Sequence, residues 1–364
     1  MESAIPLVAA GALALLLGVL VTPLVLTLSH RRSWFDIPNE RKIHTDPIPR
    51  LGGVGIFIGL IGGSVAVPLL LPLIAPSLEA QRYTPGFILV FLAFGVIHGM
   101  GLVDDFHNLR AGLKFVLQLL AAAMVTAGGF MIERVTLPGV GSVALGIFAY
   151  PLTVLWIVAI SNAINLVDGI DGLAAGIAAW TSLSLALMSI LTGRHIPALV
   201  ALSLLGAVMG FLAFNFPPAR IFMGDSGSLL IGFVLAVIPL LGSPGTTALD
   251  ELAAPATLLM IPILDTILAI VRRLRRKLPI YAPDKEHIHH RLLAIGFKDT
   301  SILILVYSAC VAFGAAAIGS LFLGRLPRLL ILACIWAAAV AAIWVLDGIR
   351  RRRFLSAQGV TIKP

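Results

Sequence analysis

Two acidic residues, Asp104 and Asp105, stand side by side where a long apolar stretch ends, and Lys114 follows shortly after. Neighbouring carboxylates repel each other, so one of them holds a proton more tightly than an isolated acid does. A hard divalent cation or a cationic side chain relieves this repulsion. The pattern therefore predicts either a metal-dependent or acid–base centre, or an acidic cap that pairs with Lys114.

A second cluster combines amide and carboxylate side chains at intervals of three residues: Asn162, Asn165, Asp168 and Asp171. On a straight helix each step of three residues drifts by about 60°, so these side chains could not all aim at one point. Gly169 and Gly172 are expected to end the helix and let the later carboxylates turn inward. Irregular backbone of this kind is tolerated at membrane depth where it lines a wet cavity. Ordinary helix capping would explain one or two of these residues, but not the whole run.

A third motif, Gly224-Asp225-Ser226-Gly227-Ser228, places one carboxylate between glycines just before another apolar stretch. Backbone N–H groups at the start of a helix can hold phosphate oxygens. Asp225 could bind a cation that bridges those oxygens. Taken alone, however, this short motif fits a plain turn better.

A fourth cluster is basic and contains His287, His289, His290 and Arg291. The spacing of His287 and His290 would allow two metal ligands on one helical face. An anion site is the interpretation we favour, because guanidinium and imidazole N–H groups suit a diphosphate and the surrounding loop is strongly basic. A purely structural loop is the remaining alternative.

The elements that carry these clusters must be membrane-spanning helices. Hydrophobic residues make up 59% of the 364-residue chain and charged residues only 12%, and the mean hydropathy is +1.02. A soluble domain carries about 25% charged residues, whereas a bilayer span needs roughly 20 apolar ones. We predict an all-α, polytopic membrane protein that forms a single domain over residues 1–364. Its eleven predicted spans begin near Pro6, Gly52, Gly86, Leu113, Gly146, Leu173, Ile196, Leu229, Leu252, Ser301 and Leu329.

The distribution of basic residues orients these spans. With the N-terminus outside and the C-terminus in the cytoplasm, 21 of the 26 lysines and arginines fall in inner loops. This bias is what the positive-inside rule predicts. The net charge of +8 therefore requires no nucleic-acid partner and suits an anionic leaflet. All four polar clusters then lie on the cytoplasmic face, which is hard to explain by solvated loops alone.

Together the motifs resemble the polyprenyl-phosphate N-acetylhexosamine-1-phosphate transferases over nearly the whole chain. The matching signatures are Asp104-Asp105…Leu109…Lys114, Asn162-Ala163-x-Asn165-x-x-Asp168-Gly169-x-Asp171-Gly172, Gly224-Asp225-x-Gly227-Ser228 and His287-Ile288-His289-His290-Arg291-Leu292, with Arg41-Lys42-x-His44-x-x-Pro47-x-Pro49-Arg50-x-Gly52-Gly53 upstream. The form of the histidine loop and of the upstream motif is similar to the branch that uses UDP-GlcNAc, rather than to the phospho-MurNAc-pentapeptide translocases.

The resemblance implies transfer of N-acetylglucosamine 1-phosphate from UDP-GlcNAc to undecaprenyl phosphate, with release of UMP, at the start of a cell-envelope glycan. Phosphoryl transfer needs charge neutralisation and in-line positioning more than covalent machinery. Mg²⁺, or Mn²⁺ in its place, would supply the charge, with Asn165 and Asp225 as oxygen ligands. The implied location is the bacterial inner membrane, in contact with membrane lipid, and a homodimer is compatible with it.

The resemblance also implies roles for the other residues. Asp104 would accept a proton from the acceptor phosphate, while Asp105 would share that site and pair with Lys114. The donor's uridine, sugar and diphosphate would contact Asn162, Asp168, Asp171, His287, His289, His290 and Arg291, with the two aspartates at the uridine or behind the metal. A covalent aspartyl-phosphate route is an alternative mechanism.

Two alternative functions follow from the same sequence. The first is the same reaction with another UDP-N-acetylhexosamine or with a phospho-MurNAc-pentapeptide donor. The second is a membrane transporter, since buried acids also mark ion pathways. A transporter should carry its polar residues near the midplane in two matching halves, and the sequence shows no such repeat.

Overall fold

The structure, a computed structural model, is built almost entirely from α-helices. It describes residues 4–35, 48–74, 83–137, 141–242, 247–279 and 286–357, so the predicted upstream residues Arg41, Lys42, His44 and Pro47 lie outside the described residues. The helices are α1 (Ala4–Arg32), α2 (Gly52–Ile61), α3 (Val67–Ile74), α4 (Gly86–His107), α5 (Ala111–Ala127), α6 (Ala149–Val167), α7 (Leu173–Leu191), α8 (His195–Asn215), α9 (Gly224–Val237), α10 (Ala253–Leu258), α11 (Met260–Arg275), α12 (Ile288–Ala294), α13 (Asp299–Ser320) and α14 (Arg325–Ala357). The predicted all-α class is confirmed.

Strands are confined, in the part of the chain described, to one small sheet. Strand β1 (Ile132–Leu137) pairs antiparallel with β2 (Gly141–Ala144) and parallel with β3 (Thr247–Ala248). The sheet joins the loop between α5 and α6 to the segment before α10. It therefore lies at the end of the bundle away from Asp104, which is at the far end of α4.

Among the described residues, eight helices are long and apolar enough to cross a membrane. A ninth span is formed if the pair Leu249–Leu258 and Met260–Arg275, which bends by 93°, counts as one. Two of the predicted spans correspond to shorter apolar helices, Ala111–Ala127 and Gly224–Leu240. A helix thus lies at each predicted position and the multi-pass character is clear, whereas the number eleven and the orientation stay predictions.

Helix α9 occupies the centre of the bundle. All its residues from Ser226 to Val237 are buried, as expected for a helix that is apolar on every side. It packs between α4 and α6 and also touches α2. At the periphery of the bundle, only 6% of the most apolar segment of α14 is buried inside the protein. Most of that helix is therefore exposed where lipid is expected.

Helices α1 and α8 are joined by small residues. A Cβ on Gly206 would lie 2.2 Å from the carbonyl oxygen of Gly11, and one on Gly210 would lie 2.8 Å from the Val19 nitrogen. Close backbone approach of this kind is how helices associate in lipid, where the hydrophobic effect does not drive them together. The two helices therefore form a tight pair beside the central helix.

Candidate active site

The ends of four helices meet at one end of the bundle. The C-terminal turn of α4 carries Asp104 and Asp105, α5 begins shortly before Lys114, α6 ends after Asn165, and α9 begins beside Asp225. Of the predicted clusters, this junction brings together the first three. It forms because helices that run in opposite directions place their polar ends on the same face.

The described part of the upstream motif joins this junction through backbone hydrogen bonds. The Phe222 N–H donates to the Pro49 carbonyl at 2.7 Å, and the Gly52 N–H donates to the Phe222 carbonyl at 2.9 Å. Arg50 is therefore held next to the start of α9. Its positive charge counteracts the rise in the pKa of Asp168. Arg50 is therefore a site residue that was not predicted, although it stands in the upstream motif.

Lys114 bridges two carboxylates at the centre of the junction. Its Nζ lies 3.1 Å from Asp104 Oδ2 and 2.7 Å from Asp225 Oδ2. Asp104 Oδ1 accepts the Leu109 N–H at 2.7 Å. The other oxygen of Asp225 accepts from Asn165 Nδ2 at 3.1 Å. An Asp–Lys–Asp arrangement thus places one positive charge between two negative ones, so the repulsion between the two carboxylates is partly compensated within the protein.

Asp105 plays a different part from the one predicted. Its carboxylate accepts the N–H groups of Asp225 at 2.7 Å and Ser226 at 3.1 Å. The predicted pair of Asp105 with Lys114 is therefore wrong, since Lys114 pairs with Asp104 and Asp225. Two of the N–H groups at the start of α9, where the sequence offered a place for phosphate oxygens, are bound by Asp105 instead.

Two glycines allow this cap to form. Gly224 has φ +71°, which favours glycine, and a Cβ there would lie 2.5 Å from Asp105 Oδ2. A Cβ on Gly101 would lie 2.5 Å from the Ser226 nitrogen. Helix α4 and the start of α9 can therefore approach each other only because neither position carries a side chain.

The predicted helix break between the amides and the later carboxylates is confirmed. Helix α6 ends at Val167, and α7 begins at Leu173 after Gly172, which has φ +75°. Dense packing around the carboxyl group and then the charge of Asp225 raise the pKa of Asp168 to about 7. Asp171 turns away and accepts the Ala219 N–H at 2.9 Å. Asp168 thus stays close to the carboxylate centre, while Asp171 fixes the loop to the chain before α9.

Asn162 lies one turn before Asn165, and its amide is bound inside the bundle. Its Nδ2 donates to Gln118 Oε1 at 2.7 Å and to the Val158 carbonyl at 2.8 Å. Gln118 stands one helical turn from Lys114, on the same face of α5. This contact fastens α5 to α6 behind the carboxylates; the predicted substrate contact of Asn162 stays a prediction.

The histidine cluster packs against the Asp168 loop. A Cβ on Gly169 would lie 2.5 Å from His289 Nε2, so the ring rests directly on that backbone. Burial and then the neighbouring His290 imidazole lower the pKa of His289 to about 4. The ring centroids of His289 and His290 are 4.2 Å apart. The fourth predicted cluster thus touches the same region, with His289 as a neutral, buried ring.

Arg291 is held by protein groups that the sequence did not reveal. Its Nη1 lies 2.6 Å from Asp347 Oδ1 of α14, and its Nε donates to the Glu286 carbonyl at 2.8 Å. These contacts tie α12 to the last helix. A contact of Arg291 with the diphosphate stays a prediction.

The donor groups at the junction suit a hard cation. No group of three or more histidine, cysteine or acidic side chains is arranged to hold a metal, as far as the described residues go. The metal alternative for the histidine cluster therefore gains no support. Asp225 offers a carboxylate oxygen, of the kind that Mg²⁺ prefers. Asn165 turns its amide nitrogen to Asp225 here, so its amide oxygen would become a ligand only after rotation of the amide, and Mg²⁺ completes its shell with water and phosphate oxygens. The Lys114 ammonium shows that this position accommodates a positive charge.

A cavity of about 690 Å³ lies elsewhere in the molecule. Its lining includes Thr84, Arg194, Asp250, Glu251 and Arg328. Thr84 precedes the start of α4 whereas Asp104 is at its end, so the cavity and the carboxylates occupy opposite ends of the bundle. None of the predicted site residues lines it, and the chemistry is therefore assigned to the open junction.

An all-helical membrane bundle with a carboxylate centre at its helix ends fits an integral-membrane enzyme, and comparison with known proteins identifies the class. Residues 87–243 match the family model described as glycosyl transferase family 4. The chain is 37% identical to the probable undecaprenyl-phosphate N-acetylglucosaminyl 1-phosphate transferase of Bacillus subtilis, over 87% of this chain and 86% of that protein.

Two further relatives extend the comparison. Identity is 36% to the decaprenyl-phosphate N-acetylglucosaminephosphotransferase of Mycobacterium tuberculosis, over 94% of this chain and 89% of that one. It is 26% to the undecaprenyl-phosphate alpha-N-acetylglucosaminyl 1-phosphate transferase of Escherichia coli K12, over 78% and 75%. The chain belongs to this family of polyprenyl-phosphate N-acetylhexosamine-1-phosphate transferases, and the predicted family is confirmed.

Proposed function

We propose that this protein transfers N-acetylglucosamine 1-phosphate from UDP-GlcNAc to undecaprenyl phosphate and releases UMP. The Asp104–Lys114–Asp225 centre at the junction of the helix ends carries the proposal. The names of the three relatives all describe N-acetylglucosamine phosphate transfer to a polyprenyl phosphate. The crowding of acids at one end of the helices also supports a surface reaction over a transport path through the midplane.

The reaction exchanges one phosphoanhydride bond for another. An oxygen of the acceptor phosphate attacks the phosphorus that carries the sugar, and the bond from that phosphorus to the bridging oxygen breaks. UMP leaves with the bridging oxygen and its electron pair. Because the transition state carries spread negative charge, positioning and electrostatic stabilisation account for most of the catalysis.

The residues of the junction divide this work. Asp225 and Asn165 would hold a Mg²⁺ ion, which neutralises charge on the donor's diphosphate. Lys114 supplies a second positive charge beside it. Asp104 accepts the proton that the acceptor phosphate carries at lower pH, a modest task since the second pKa of a phosphate monoester is about 6. Asp105 acts indirectly by capping α9, which fixes the position of Asp225.

The membrane orientation is part of the same proposal. The basic run 272–277 begins in the last turn of α11, and α12 with its histidines is the next helix on the chain. The positive-inside rule places such a run in the cytoplasm, where UDP-sugars are made. The site would therefore face the cytoplasm from the bacterial inner membrane, and the lipid product would start a cell-envelope glycan.

A single assay with purified protein tests the activity. Protein in detergent with Mg²⁺ and undecaprenyl phosphate is offered UDP-GlcNAc, UDP-GalNAc and UDP-MurNAc-pentapeptide in turn, and UMP release and the labelled lipid are measured. We expect turnover with UDP-GlcNAc, and none when the lipid is left out. Asp250→Asn is a suitable control variant, since Asp250 pairs with Arg325 at the other end of the bundle. Release of UMP only from another donor would refute the assignment of the sugar.

A cysteine-labelling experiment tests the orientation. A cysteine at Leu278, next to the basic run, should resist an impermeant thiol reagent in intact cells and react after permeabilisation. Ready labelling in intact cells would contradict the cytoplasmic orientation.

A further inference from the structure

Asp265 is a buried acid on α11 that lies outside all the sequence motifs. It is only 1% exposed. Both of its oxygens accept hydrogen bonds from the start of the histidine cluster: Oδ2 lies 2.7 Å from His287 Nδ1, and Oδ1 accepts the Ile288 N–H at 2.8 Å. A charged group at such depth costs free energy unless it is paired, so residues of this kind tend to serve a function.

The chemistry of this pair fixes the state of the imidazole. An ionised carboxylate can only accept hydrogen bonds, so Nδ1 of His287 must carry a proton. Nε2 is then the nitrogen left for a ligand, as when a carboxylate orients a metal-bound histidine. The second contact, at the Ile288 N–H, satisfies a backbone donor in the first turn of α12. One side chain therefore sets the orientation of the ring and the start of the helix that follows it.

The histidine cluster is connected rigidly to the carboxylate junction. His289 rests on the backbone of Gly169, and Asp168 beside it is electrostatically coupled to Asp225. Asp265, His289 and Leu173 line one small pocket under α12. A shift of Asp265 would therefore move His287 relative to the proposed metal ligands.

We propose that Asp265 is a positioning residue for the donor site: it holds His287 with Nδ1 protonated, so that the unprotonated Nε2 can accept a hydrogen bond from a hydroxyl group of the UDP-sugar. This role rests on the proposed transfer reaction, because it presupposes a UDP-sugar at the junction. It adds a residue of α11 to the site. The 93° bend before α11 sets the direction of that helix, and the direction of the helix determines where Asp265 holds His287.

Asp265→Asn tests the role with little change in shape. The amide nitrogen of the new side chain would face His287 Nδ1 and favour the reverse tautomer, with the proton on Nε2, so Nε2 could no longer accept a hydrogen bond from a substrate hydroxyl. We expect kcat/KM for UDP-GlcNAc to fall about tenfold or more, the scale seen for carboxylates behind functional histidines. The fall should come mainly from KM for UDP-GlcNAc, and KM for undecaprenyl phosphate should change less than about twofold, since the lipid is expected on the Asp104 side.

A double-mutant cycle separates this role from a structural one. His287→Asn keeps a donor toward Asp265 near the position of Nδ1 and removes Nε2. If Asp265 acts through His287, the double variant should be no worse than His287→Asn alone. Losses that multiply in the double variant would overturn the proposal. Asp250→Asn is the matched control, since it removes a paired carboxylate at the other end of the bundle.

The outcomes also distinguish the two proposals. Without turnover of UDP-GlcNAc by the wild type, the proposed function fails before any variant is compared. Normal wild-type turnover with an unchanged Asp265→Asn overturns only the positioning role. Thermal unfolding in detergent shows whether Asp265→Asn is folded; if it is not, His287→Asn decides, and a KM for UDP-GlcNAc within about twofold of wild type would overturn the proposal.

Discussion

Replacing Asp168 by asparagine should stabilise the protein at alkaline pH while it impairs the reaction. Asp168 follows the last turn of α6, and packing around its carboxyl group together with the charge of Asp225 raises its pKa from 3.8 to about 7. An acid whose pKa is higher in the folded state favours folding when protonated and opposes it when ionised. Asparagine has nearly the same shape and carries no charge at any pH.

The size of the effect follows from the difference between the two pKa values. Above pH 7 the wild type holds an ionised Asp168, and a difference of roughly three units corresponds to about 4 kcal/mol against folding. Because Asp168 is partly reached by water, we expect about 2–4 kcal/mol. At pH 5 the carboxyl group is protonated in the folded state and largely ionised in the unfolded chain, so the cost is less than half as large. Below about pH 3 it disappears, because this carboxyl group is then protonated in both the folded and the unfolded chain.

Thermal unfolding of both proteins in detergent, with EDTA present, measures this dependence. The asparagine variant should unfold a few degrees higher at pH 8, and its advantage should shrink at pH 5. Mg²⁺ at millimolar concentration should narrow the gap at pH 8, since a cation at Asp225 and Asn165 would favour ionised Asp168. Transferase activity of the variant should fall at both pH values. An advantage that is equal at pH 5 and pH 8 would refute the argument, because it would show that the charge of Asp168 is not the cause.

Three further predictions concern the junction. Lys114→Met should lower activity by orders of magnitude and lower the unfolding temperature, because Asp104 and Asp225 then repel each other without compensation; an unfolding temperature equal to wild type would contradict the bridge. Asp105→Ala should lower activity about tenfold or more, since the N–H groups of Asp225 and Ser226 lose their acceptor and Asp225 is no longer held in place; activity equal to wild type would show that the cap is dispensable. Gly101→Ala should abolish activity, whereas Gly99→Ala, whose Cβ would meet nothing within 4 Å, should leave it intact; equal activity of the two would refute the close approach of α4 and α9.

The bundle itself was predictable because hydropathy alone marks apolar stretches long enough to span a bilayer. The helix break after Val167 was predictable too, since Gly169 and Gly172 interrupt an otherwise apolar helix. The bend between α10 and α11 was not predicted, although Pro262 in the first turn of α11 interrupts the helical hydrogen bonding there, since proline has no N–H to donate to the Leu258 carbonyl.

The partners of two acids in apolar helices could not be predicted from the sequence. Asp265 carried a signal, an acid inside an apolar stretch, yet nothing near it in sequence indicated that His287 would be its partner. Asp347 was equally visible within the last apolar helix, and only the fold shows that it meets Arg291. Intramembrane charge therefore identifies residues that need partners, while the choice of partner depends on which helices pack together.

Asp104 and Asp105 make different contacts because of the geometry of the helix that carries them. Adjacent residues of an α-helix point about 100° apart, so two neighbouring carboxylates at the end of α4 cannot easily serve one ligand. Asp104 faces α5 and meets Lys114, whereas Asp105 faces the start of α9 and caps its N–H groups. Adjacent acids in a helix thus predict two contacts on two neighbouring elements, and a shared site is expected only where the helix has already ended. By this argument Asp104 is the acid that would reach the phosphates in the proposed reaction, and Asp105 would contribute by keeping Asp225 in place.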